Sequence, residues 1–149
     1  MPLKIQSSAF SHNGSIPTEH TCEGKDSAPP LQWSGAPAGT RSLALIVDDP
    51  DAPDPKAPKM TYVHWVLYDI PSSSTVPTRG RDGKNDFKRT GYGGPCPPIG
   101  RHRYFFKLYA LDATLGDLGT PTKQQVLDAM KGHILEQAEL VGTYEKQKA

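Results

Sequence analysis

At 149 residues, with 17 basic against 16 acidic side chains and a formal charge of +1, the chain has the length of one ordinary domain, residues 1–149, and no bulk attraction for nucleic acid or an anionic membrane. No apolar run approaches the roughly 18 residues that span a bilayer, and no basic segment followed by an apolar stretch opens the chain, so no transmembrane segment and a cytoplasmic location are expected. Fifteen prolines and fourteen glycines stay below the roughly 25% that marks low complexity and predict a loop-rich β protein.

In chain order, strand patterns occur at residues 3–8, 31–33, 42–48, 62–70 and 102–111. Turn formers separate them: Asn13-Gly14, Ala28-Pro29-Pro30, the Gly35 to Gly39 stretch, and prolines at 50, 53, 55 and 58. Residues 71–90 are polar and glycine-punctuated and read as a long surface excursion. Thr122 is placed to cap a helix over Lys123–Met130, with Val126, Leu127 and Met130 along one stripe and Gly132 as its stop. For residues 134–144 two readings stand, an amphipathic helix or a closing strand from 140 to 144.

Three segments hold the chemistry. Asp48-Asp49-Pro50-Asp51-Ala52-Pro53 ends an apolar strand in carboxylates presented on a proline-stiffened turn. In the segment 62–68, alternation groups Tyr62, His64, Val66 and Tyr68 on one face and Val63, Trp65 and Leu67 on the other. The third runs from Gly94 to Tyr104, where a Pro/Gly loop delivers His102, Arg103 and Tyr104 onto a strand. Alternation puts His102, Tyr104, Phe106, Leu108 and Ala110 on an inward face; Arg101 and Arg103, on the other, are expected to be solvated.

Two imidazoles, carboxylates and a tyrosine at one mouth suit an anion. Protonated histidines, the Tyr104 hydroxyl and the N–H groups of Gly93 and Gly94 can donate to phosphate oxygens, and the carboxylates are expected to raise the histidine pKa values. The same residues also permit a metal-assisted or His/Asp hydrolase, although no local histidine pair has metal-ligand spacing. There is no Gly-x-Ser-x-Gly elbow, phosphate-binding Gly-x-x-x-x-Gly-Lys loop or dinucleotide fingerprint. Cys22 and Cys96 are too few for a disulfide scaffold; two free thiols are the plainer reading, and a single bridge pinning an N-terminal loop to the rim is the other.

Taken together, Ala28-Pro29-Pro30-Leu31, Asp49-Pro50-Asp51-Ala52-Pro53, His64-Trp65-Val66, Gly91-Tyr92 through Pro97-Pro98, and His102-Arg103-Tyr104 resemble the phosphatidylethanolamine-binding protein family, in its shorter prokaryotic, Raf-kinase-inhibitor-like branch. The likeness extends over almost the whole chain. It implies a mainly β fold, with a large antiparallel sheet packed against a smaller one and few helices, and a strand at 140–144. It also implies a small anion pocket at Asp49, Asp51, His64, Gly94, Pro97, His102 and Tyr104, more open than in longer eukaryotic members. The expectation is a non-enzymatic module for a small phosphorylated or carboxylate ligand, with no cofactor, in which the histidines donate, Asp49 and Asp51 orient them, and Tyr104 completes the rim. A protein-interaction or inhibitor role using the 71–90 surface is the further alternative, and a homodimer is compatible with such a sheet.

Overall fold

The apolar run that begins at Ser42 becomes the centre of the molecule. In the computed structural model, which describes residues 2–77 and 80–146, β4 (Ser42–Ala52) lies between β5 (Met60–Pro71) and β7 (Arg101–Leu111), antiparallel to both. Leu43 to Val47 are all at most 1% exposed, so both faces of this strand are covered. Beyond β7 lies β8 (Ile134–Glu145), paired from Arg101↔Glu145 to Leu111↔Ile134. The short β2 (Gly14–Ser15) adds in parallel to its end, and β6 (Arg81–Asp82) pairs with β5. The six-stranded order is β2-β8-β7-β4-β5-β6.

A two-stranded sheet of β1 (Lys4–Gln6) and β3 (Gln32–Ser34), aligned at Ile5↔Trp33, covers one face. Leu3, Ile5 and Trp33 pack there with Leu43, Leu45, Val47, Trp65, Tyr104, Phe106 and Leu108. On the opposite face the helix α1 (Lys123–Met130) buries Val126 and Met130 against Ala44, Ile46, Val66, Tyr68, Tyr109 and Leu111. Its start is a capping box: Thr122 Oγ1 accepts from the Gln125 N–H and Gln125 Oε1 accepts from the Thr122 N–H. Gly132, at φ +85, follows its end. The large sheet packed against a smaller one, with one α-helix among the described residues, agrees with the mainly β architecture with few helices that the resemblance implied.

Three expectations are corrected. Residues 134–144 form no helix at their front: β8 runs unbroken from Ile134, because the outer edge of β7 needs backbone partners along its whole length, a demand that outweighs local propensity. The 71–90 excursion is partly paired, through β6 and a Lys84↔Thr90 bridge; its Thr78 and Arg79 lie outside the described residues. Finally, strict alternation fails in β5. Val47 faces Trp65 while Asp48 faces Val63, so His64 is the extra residue of a β-bulge, and it leaves the face of Val66 and Tyr68 for the side of Trp65 and Tyr104.

Candidate functional site

β7 contributes the inward face read from its sequence. His102, Tyr104, Phe106, Leu108 and Ala110 are at most 1% exposed. His102 is held on every polar side: Nδ1 lies 2.5 Å from Asp49 Oδ2, while Nε2 lies 2.8 Å from the Ile99 carbonyl and 3.1 Å from that of Pro53. Each of these partners is an acceptor, so both ring nitrogens carry protons and the ring forms an ion pair with Asp49. Asp49 Oδ1 in turn accepts the Asp51 N–H at 2.7 Å. Through one imidazole the two loops at the cavity mouth are fastened to β7 and β4.

The carboxylates expected at one mouth go to three places. Asp49 alone reaches His102. Asp51 accepts both a bidentate contact from the Arg103 guanidinium, at 2.8 and 2.9 Å, and the Arg103 backbone N–H, and these bonds hold its carboxyl below the usual range. Arg103 therefore anchors a loop, where sequence had it merely solvated. Asp48, on the α1 face, is buried against Lys107 and Lys123 at 3.3 and 2.6 Å.

The bulge turns His64 toward Tyr104 at a ring separation of 5.2 Å. Its Nδ1–H donates to the Gly93 carbonyl at 2.8 Å, and the Gly93 N–H donates back to the His64 carbonyl at 2.9 Å. Nε2 is left without a partner among the described residues. Burial pushes the His64 pKa down, against the weaker upward pulls of the Gly93 bond and of Asp49, Asp48 and Asp86; the expected rise is overturned because the site is drier than its acidic sequence suggests. The Gly93 and Gly94 amides are also not free for an anion, since the Gly94 N–H donates to Asp26 Oδ1 at 2.8 Å.

His64, Asp49, His102 and Tyr104 line a cavity of about 270 Å³, walled by Ala52, Pro53, Met60, Tyr62, Phe87, Cys96, Pro97 and Pro98. Asp51 and Gly94 are not in this lining. The Tyr104 hydroxyl is the only buried side-chain polar atom without a hydrogen-bond partner among the described residues, and burial raises its pKa far above the ordinary phenol value. Sequence reasoning passed over Phe87, whose ring stands 5.0 Å from Tyr62 and 5.3 Å from His64. A lone aromatic in an otherwise polar excursion was the available signal.

Cys22 and Cys96 are bonded to each other, and neither is a free thiol. Location was a poor guide because the partners are brought together by the fold: between the same two segments Tyr92 Oη donates to the His20 carbonyl at 2.7 Å and the Cys22 N–H to the Pro95 carbonyl at 3.1 Å. Gly94 is a glycine for this closeness, since a Cβ there would lie 2.5 Å from the His20 carbonyl oxygen. Among the described residues no group of three His, Cys, Asp or Glu side chains could hold a metal, and no helix is long and apolar enough to cross a membrane.

With this geometry in place, comparison with known proteins is direct. The family model for phosphatidylethanolamine-binding protein matches residues 6–145. A UPF0098 protein of Methanothermobacter thermautotrophicus is 45% identical, over 97% of this chain and 99% of its own. The crystal structure of CT736 from Chlamydia trachomatis, titled a putative phosphatidylethanolamine-binding protein homolog, superposes with a TM-score of 0.90 at 40% identity, covering 98% of this chain and 99% of that one. E. coli YbcL, described as a new member of the mammalian family, gives 0.87 at 30% identity, covering 99% and 100%. The chain belongs to the phosphatidylethanolamine-binding protein family.

Proposed function

We propose that the protein is a non-enzymatic binding module whose cavity takes a small oxyanion, the phosphate or carboxylate end of a larger molecule. The observation that carries this reading is the unpartnered Tyr104 hydroxyl. A buried donor without an acceptor costs about 1–3 kcal/mol, and a cavity-lining tyrosine that bears this cost is ready for a ligand oxygen. His64, whose ring packs 5.2 Å from that of Tyr104 and also lines the cavity, supplies in Nε2 a second polar atom without a partner among the described residues. His102 and Asp49 act as positioning residues, because their own bonding capacity is taken up by each other and by the two mouth loops. The proline and aromatic walls suit an apolar substituent on the anion.

Calorimetric titration of the protein with inorganic phosphate and with phosphoethanolamine tests this. Millimolar or tighter binding that Tyr104→Phe weakens about tenfold, the worth of one buried hydrogen bond, is the expected result. Binding unaffected by that substitution would overturn the reading.

A further inference from the structure

The acids nearest the cavity are paired, Asp49 with His102 and Asp51 with Arg103, while Asp48, on the α1 face, lies against Lys107 and Lys123. No unmatched cation is among the cavity-lining residues, so an oxyanion meets two neutral groups. Tyr104 can donate. His64 cannot, as long as its single proton is on Nδ1 and committed to the Gly93 carbonyl at 2.8 Å; its Nε2 is then a lone pair. A phosphate oxygen brought against that lone pair is repelled, whereas a P–OH group donates to it.

Resting on the anion-binding reading above, we infer that the cavity selects an oxyanion that brings its own proton, a phosphomonoester carried as its monoanion, over a phosphodiester, with Tyr104 donating to one oxygen and His64 Nε2 accepting from another. The groups around His64 support its neutral form. Asp49 and Asp48 on β4 and Asp86 from the excursion favour protonation, but desolvation among Tyr62, Phe87 and Tyr104 outweighs them. A phosphodiester has no P–OH and must wait for His64 to take a proton from solvent. The selection is therefore made by the protonation state of the ligand, read by one acceptor on β5 and one donor on β7, the two strands that flank β4.

The matched probes are monobutyl phosphate and butyl methyl phosphate, which share the apolar chain and differ in the P–OH. Calorimetry is done at about pH 6, where about half of a phosphomonoester is the monoanion. The monoester is expected to bind at least about tenfold more tightly, as a site with a committed hydrogen-bond partner rejects an analogue lacking it. His64→Gln, whose amide can donate as well as accept, should bring the two affinities together by raising that of the diester. The wild-type ratio decides the matter even where that variant fails to fold. Equal or tighter binding of the diester to the wild type overturns the selection and leaves anion binding standing, while failure of both probes and of inorganic phosphate to bind overturns both.

Discussion

His102 Nδ1 stands 2.5 Å from Asp49 Oδ2, with the two side chains 1% and 4% exposed. Because Nε2 is bonded to the Pro53 and Ile99 carbonyls, the pair joins both mouth loops to the central strands. It also removes His102 from the set of groups free to touch a ligand.

Breaking this pair from one side leaves a buried charge alone. Asp49→Ala and His102→Ala should each lower stability by about 3–5 kcal/mol, with the double variant losing much less than their sum. Urea unfolding of the four proteins checks this; additive losses would show that the two side chains act independently.

Tyr104→Phe separates stability from function. Removing a hydroxyl that has no partner relieves its desolvation cost, so the variant should be as stable as the wild type or more so, by up to about 1–3 kcal/mol. Its affinity for phosphate should fall meanwhile. A clear loss of stability in urea would mean that the hydroxyl has a partner in the unliganded protein.

Much of the fold was legible because long apolar strands and a capped helix carry strong local signals: residues 42–48, 62–70 and 102–111 and the Thr122 cap needed no tertiary information. Part of the cavity lining was legible, Asp49, His64, Pro97, His102 and Tyr104, while Asp51 and Gly94 of the same motifs lie outside it. What escaped depends on register and on long-range pairing. An inserted residue in β5 redirects His64, and nothing in an alternating pattern announces a bulge. The strand at Ile134 forms because β7 needs a partner, and the Arg103 contact to Asp51 joins residues that are distant in sequence. Cys22 meets Cys96 for the same reason.

Acid should act in two separate windows. His64 has a folded pKa below the unfolded value of about 6.5. As pH falls beneath that value the unfolded chain takes up a proton that the folded protein refuses, so stability declines on acidification. His64→Gln should flatten this segment of the stability profile. Asp51 acts in the same direction at lower pH: its depressed carboxyl pKa contributes stability that is complete above the ordinary value of 3.8 and is lost as pH falls below it. Arg103→Gln should diminish only that lower segment. Stability measured by urea titration across both windows tests the assignment, and a single variant that altered both would contradict it.

The Cys22–Cys96 bridge closes a sequence separation of 74 residues, which in the chain-entropy account is worth about 4 kcal/mol, exerted mainly on the unfolded state. Such bonds are commonest in oxidising surroundings. Although Cys96 lines the cavity, the rim keeps its other ties, from Gly94 to Asp26, Tyr92 to His20 and Cys22 to Pro95. The double variant Cys22→Ser/Cys96→Ser should therefore unfold at lower urea concentration while holding its phosphate affinity within about threefold, as expected where a bridge constrains the unfolded chain rather than the folded rim. Loss of binding in a variant still folded at the temperature of measurement would instead make the bridge a determinant of the cavity's shape.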